Sequence, residues 1–188
     1  MLHVVSVVSV APPTITWRCP RCRCSKFICS ERFRMNTNAK LADIWLIYRC
    51  AVCDSTKNLT IVERMPVAKI SPSLVDAALT NDSVAARRFA RDLHLLRSAG
   101  VQVLEGDRIS LSEAVPGAGC VRLHFAEPLL VRLDHVISEA FGLSRSQLRA
   151  IDTSGGLRLD PPAPLSRLRL AMTTTVALDL ETYNEFDQ

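Results

Sequence analysis

Apolar positions change their period along this chain, and each period names an element. From Ile44 to Tyr48 the run "IWLIY" is apolar without interruption, which predicts a buried strand leading into the cysteines that follow. "KNLTIVERM" (57–65) predicts its partner strand, with "CDSTKN" as the turn. Trp45, inside the apolar run, reads as core. The preceding polar run of Arg32, Arg34, Asn36, Asn38 and Lys40 reads as a loop, or as groups that position phosphates. Residues 71–100 switch to a helical period in two pieces. Ser71-Pro72 starts the first, Asn81 or Asp82 caps the second, and Ala99-Gly100 ends it. Ala85, Phe89, Leu93 and Leu96, spaced by four, four and three, predict one buried stripe.

Alternation returns further on. "VQVLEGD" predicts a strand and turn, and "CVRLHF" a strand whose His124 faces solvent. Arg132–Phe141 reads as a short helix closed by Gly142. Ser144 and Gln147 form a capping box for the next helix, which turns Leu148 and Ile151 inward. "SGG" (154–156) turns the chain into "LRL". "PPAP" is a rigid spacer, "LSRLRLAMTTTVALDLE" gives one or two closing strands, and "TYNEFDQ" reads as a frayed tail. The opening "MLHVVSVVSVAPP" has no basic n-region and no clear cleavage site, so it reads as a loose extension or an edge strand.

Composition narrows the classes. With 48% hydrophobic residues the chain can bury a core, and at 5% aromatic that core is mostly aliphatic. No run approaches the roughly 18 apolar residues of a membrane span, so no membrane partner is expected. The net charge of +4 is uneven: residues 14–70 hold eleven Lys and Arg against four acids. Such a local field suggests a polyanion partner, or simply solvates a small surface.

Chemistry concentrates in the cysteines. Four of the seven form two Cys-x-x-Cys pairs, Cys19/Cys22 and Cys50/Cys53. A two-residue spacer lets both sulfurs of a turn face one ion, and two pairs supply the four ligands of a structural zinc. Without an export signal the thiols read as reduced and the protein as cytoplasmic, which favours metal over disulfides. Cys24 and Cys29 leave an alternative open: either could replace one of the four, or sit buried as a plain thiol. A thiol redox site at Cys19–Cys22 is the competing reading, but "RCSKFICSERF" does not supply the long helix such a site needs. The histidines lie at 3, 94, 124 and 135, outside the module, which disfavours catalytic zinc.

One block carries a resemblance. Cys29-Ser30, Phe33-Arg34, Asn36, Lys40, Asp43, Trp45 to Tyr48, Cys50, Cys53, Thr56 and Asn58 follow an earlier Cys-x-x-Cys. The pattern resembles a bacterial family of unknown function. That family usually has tryptophan after the threonine, where this chain has Lys57, a change expected to loosen packing near the second pair. The resemblance implies no activity, but it suggests that Cys29 matters. A weaker resemblance lies in Arg132-Leu133-Asp134, Ile137, Ser144-Arg145, Leu148, Ile151, Gly156, Leu157 and Leu159. These positions resemble the small RNA-binding module of a ribosomal small-subunit protein and of pseudouridine synthases. The likeness implies that Arg145 and Arg149, with Arg132 nearby, face RNA; "RLDPP" departs from the module's usual ending.

The reading that results is an α+β fold. A zinc ribbon-like module (17–65) follows an extension (1–16) and precedes a helical and strand middle (66–130) and a small αβ lobe (131–188). The expected function is a zinc-stabilised, non-enzymatic binding protein, with RNA favoured over DNA or another polyanion as its partner. Arg18, Arg21, Arg23, Arg32, Arg34 and Lys40 would contact phosphates, extended by Arg145 and Arg149. The alternatives are a protein-interaction adaptor and, behind it, the thiol enzyme with Cys19 attacking and Cys22 resolving.

Overall fold

A computed structural model of the protein describes residues 2–115 and 119–179, so the tail at 182–188 lies outside the described residues. The strands and helices follow in chain order. They begin β1 (Leu2–Ala11), β2 (Thr14–Thr16), β3 (Lys26–Asn38), β4 (Leu41–Cys50) and β5 (Thr56–Pro66). Three short helices come next: α1 (Pro72–Thr80), α2 (Ser83–Ala90) and α3 (Leu93–Ser98). Then come β6 (Gln102–Glu105), β7 (Arg108–Leu111), β8 (Gly119–Phe125), β9 (Leu129–Val131), α4 (Leu133–Phe141) and α5 (Arg145–Thr153). The described chain closes with β10 (Leu157–Asp160), β11 (Arg169–Ala171) and β12 (Thr174–Leu178).

The protein is therefore mostly β, and the expected α+β fold with a helical middle is corrected. The helical signal over 71–100 is local and broken. Ser71 and Asp82 cap α1 and α2 as expected. Asp92 then ends the run, because its carboxylate accepts from the N–H groups of His94 and Leu95 at 2.9 and 3.0 Å and starts α3. The buried stripe is also rotated by one position. Ala86, Ala90 and Leu96 are fully covered, whereas Ala85, Phe89 and Leu93 flank them half-buried.

The chain falls into two compact units, each with its own core: Pro12–Glu105, and the residues through Ala11 together with those from Gly106 onward. In the second of these, a five-stranded sheet runs in the order β10-β12-β8-β1-β7. The N-terminal apolar run is an interior strand there, not a loose extension or an edge. β1 pairs parallel with β8 and antiparallel with β7. Val5 and Val7 are buried with Leu123, Ile137 and Leu148, while Leu2, Val4, Val8 and Val10 remain exposed. The capping box of α5 is present, Gly142 ends α4 at φ 68°, and Leu148 and Ile151 are buried, all as the sequence predicts. His124 is exposed, also as predicted.

Pro12–Glu105 forms an antiparallel sheet in the order β5-β4-β3-β2-β6. The 44–48 and 57–65 strands pair as expected, with Leu46 opposite Leu59. Ala42, Ile44, Leu46, Tyr48 and Cys50 alternate inward along β4 and pack with residues of the three helices. Residues 32–38, read as a loop, instead continue β3, because their polar side chains alternate with Phe33 and Met35 across from β4. Trp45 is not core. It is half-buried on the opposite face, outside both packed clusters.

Tyr48 is fully buried, and its hydroxyl has no hydrogen-bond partner among the described residues. Burial raises its pKa well above the ordinary value, helped by Cys29. An unpaired buried hydroxyl costs on the order of 1–3 kcal/mol. Tyr48→Phe is therefore expected to leave the denaturation midpoint unchanged or raise it. A clear drop would mean that the hydroxyl has a partner after all.

Candidate metal centre

Two turns of the same build face each other in Pro12–Glu105. In the first, the Cys19 N–H donates to the Cys24 carbonyl (2.8 Å) and the Arg23 N–H to the Cys19 carbonyl (3.0 Å). In the second, the Cys50 N–H donates to the Ser55 carbonyl (2.9 Å) and the Asp54 N–H to the Cys50 carbonyl (3.1 Å). Arg23 and Asp54, each next after its Cys-x-x-Cys pair, share a left-handed backbone with φ of 62° and 59°. The first turn leaves β2 and enters β3; the second closes β4 and enters β5. The β3–β4 hairpin thus carries one turn back onto the other.

The result is a tetrad. The sulfurs of Cys19, Cys22, Cys50 and Cys53 all lie within 4.8 Å of one another. Two approaches cross between the turns, Cys19 to Cys53 at 3.5 Å and Cys22 to Cys50 at 3.4 Å. Disulfide sulfurs would be about 2.05 Å apart, and all four cysteines are free thiols. Four sulfurs each ~2.3 Å from one ion stand ~3.8 Å from each other in a tetrahedron. The cluster is compatible with a metal ion.

Hydrogen bonds prepare these sulfurs for deprotonation. The N–H groups of Cys22 and Arg21 hold the Cys19 thiol below its ordinary value, and those of Cys53 and Val52 do the same at Cys50. The Ser55 hydroxyl, 3.1 Å from the Cys53 sulfur, and the Ser55 N–H lower Cys53. Cys22 differs. The Cys24 N–H favours its thiolate, but burial and the facing sulfurs outweigh it and push the thiol up to about 12. Four negative charges cannot share one point unless a cation neutralises them.

Cys24 and Cys29 fall outside the tetrad. Cys24 occupies the place in the first turn that Ser55 holds in the second, and its sulfur accepts the Lys26 N–H at 3.4 Å. Cys29 is buried on β3, where its sulfur accepts the Glu31 N–H at 3.4 Å and burial pushes the thiol up to about 12. A buried, protonated thiol of this kind is inert. Lys57 is half-buried and packs its ammonium 4.5 Å from the centre of the Trp17 ring, filling space beside the first turn.

The basic candidates are at the surface. Arg18, Arg21 and Arg23 are exposed on the first turn, Arg32 and Arg34 on β3, and Lys40 at the β3–β4 turn. Arg49 pairs with Asp54 at 3.1 Å. Arg145 and Arg149 are exposed on α5, which belongs to the other unit. Arg132 is held by the Asp134 carboxylate. The signal that the sequence reading missed is the repeated turn: one residue after each pair, then Cys24 or Ser55.

A cluster of four cysteine sulfurs, two from each of two turns and close enough to hold a metal ion, is the class of site this chain contains. The chain belongs to the family described as "Protein of unknown function (DUF1062)", which matches residues 35–162. The matched segment includes Cys50 and Cys53 and begins after Cys19 and Cys22. Neither a curated protein nor a solved structure matches the chain. Among the described residues no helix is long and apolar enough to cross a membrane.

Proposed function

We propose that this protein is a zinc-stabilised, non-enzymatic RNA-binding protein. The four-sulfur tetrad carries the reading. It has the donor set and spacing of a structural zinc site, and among the described residues neither a fifth ligand side chain nor a histidine joins the group. Cys22 is followed by a strand instead of a helix, and its sulfur faces Cys50 as well as Cys19, which favours a metal over a dithiol. Arg18, Arg21, Arg23, Arg32, Arg34, Lys40, Arg145 and Arg149 all have exposed side chains suited to phosphate contacts. Cytoplasmic localisation fits the free thiols.

The test is RNA affinity at several salt concentrations. Binding is expected to weaken steeply with salt, as counterion release requires. Arg145→Ala with Arg149→Ala should weaken it further. A double variant that binds like wild type removes α5 from the contact surface; a salt-independent interaction contradicts the whole reading.

A protein-interaction adaptor is the second reading, favoured by one observation. Leu2, Val4, Val8 and Val10 keep 44–50% of their surface exposed on one face of β1. An apolar stripe of this kind is a feature of protein-binding surfaces.

A further inference from the structure

The outer face of the β3-β4-β5 sheet carries side chains that no core absorbs. By strand register, Arg34 lies across from Trp45, and Trp45 across from Thr60. Adjacent rungs on this face pair Asn36 with Asp43, Ile47 with Asn58, and Ile28 with Arg49 and then Thr56. Phe33, Leu46 and Leu59 point the other way, into the core with the helices. Arg32, Arg34, Asn36, Asn38, Asn58 and Thr60 are all exposed.

Two cations on this side of the sheet have no acid partner. Among the described residues, neither Arg32 nor Arg34 makes an ion pair or side-chain hydrogen bond; of the neighbouring acids two are paired with other arginines, while Asp43 bonds only a backbone N–H and Glu63 is exposed. Glu31 holds Arg87 at 2.9 Å, Asp54 holds Arg49 at 3.1 Å, and Asp43 accepts the Arg64 N–H at 2.7 Å. Directly opposed positions on adjacent strands stand about 4.5–5.5 Å apart, so Arg34 and Trp45 leave the sheet as cross-strand neighbours. Trp17, packed against the core, already has a cation over its ring; Trp45 has no cation or ring partner among the described residues.

We infer that this face binds an unpaired RNA strand, with one base stacked on Trp45 and phosphates held by Arg32 and Arg34. Stacking needs a base that is not already between two others, so a single strand fits and a duplex does not. Arg32, at the bulge of β3, and Arg34, two residues on and opposite Trp45, both have exposed side chains that can follow a backbone crossing the sheet. Asn36, Asn58 and Thr60 supply donors and acceptors to base edges and sugar hydroxyls. The inference rests on the RNA-binding reading above and gives it a surface.

The experiment uses the full chain with zinc, and a fluorescently labelled, unstructured 12-nucleotide RNA, alone or annealed to its complement. Zinc content and far-ultraviolet circular dichroism check each variant. Wild type should bind the single strand at least tenfold more tightly than the duplex. Trp45→Leu should weaken binding about tenfold or more, while Trp45→Phe retains most of it. Arg34→Gln, at an exposed position, should weaken binding and lower the salt slope by roughly 0.7. With Trp17→Phe, Trp45 is the one tryptophan left in the chain, and its emission should quench on RNA addition. Unchanged affinity in both Trp45→Leu and Arg34→Gln, equal duplex binding, or no quenching overturns the inference while RNA binding itself stands. No RNA binding by wild type overturns both.

Discussion

Cys50→Ser is expected to unfold the Pro12–Glu105 unit while the other unit keeps its structure. Cys50 is the last residue of β4, and its sulfur closes the tetrad against Cys22 at 3.4 Å. The binding free energy of a structural zinc is also folding free energy, about 10–16 kcal/mol in small zinc domains. Domain stabilities are only about 5–15 kcal/mol, so losing most of that term removes the unit's margin. Hydrogen exchange should show β3, β4 and β5 losing protection. β1, β8 and β12 should keep it, because their core holds none of the four cysteines. Cys24→Ser should do neither. If Cys50→Ser keeps full protection in β4, the unit folds on its apolar core alone and the centre is dispensable.

Asp107 should give the largest effect in the other unit. It is 6% exposed, and its two carboxylate oxygens accept from the Ser9 hydroxyl and from the Leu130 N–H, each at 2.7 Å. Its own N–H donates to the Leu130 carbonyl at 2.7 Å. Asp107→Ala would strand the buried Leu130 N–H and lose a charge-assisted bond, costing about 3 kcal/mol. Asp107→Asn keeps acceptor capacity and should cost less. Gly106 holds the same contact from the other side, since a Cβ there would run into the Leu130 carbonyl oxygen. That oxygen cannot retreat without giving up its bond to Asp107, so Gly106→Ala should cost at least as much as an overpacked core site, about 1–3 kcal/mol. Urea denaturation followed by circular dichroism measures all three. A shift below about 0.5 kcal/mol for Asp107→Ala would contradict the clamp.

Local signals were legible in the sequence, and long-range pairing was not. The capping box at Ser144 and Gln147, the turn at Gly142 and the β4–β5 pair each rest on residues close in the chain. The two Cys-x-x-Cys turns were visible for the same reason. β1 was read as a loose extension or an edge strand, and its interior place was missed because its partner β8 is more than a hundred residues away and its near-continuous valines hide their alternation. Fold class failed on the same point: a short helical stretch looked like a layer of its own, while the strands that bury it were scattered. The polar half of β3 read as a loop because its outward residues are all polar and its inward ones few. Asp107 gave no signal, since Ser9 and Leu130 lie 98 and 23 residues from it.

Metal content by elemental analysis tests the central claim most directly. The protein would be untagged, purified in reductant, with Cys19, Cys22, Cys24, Cys29, Cys50 and Cys53 replaced one at a time. The predicted result is about one zinc per chain, as four thiolates hold one ion, lost on replacing Cys19, Cys22, Cys50 or Cys53 and kept on replacing Cys24 or Cys29. Wild type without metal, or zinc that survives the loss of a tetrad cysteine, would contradict it.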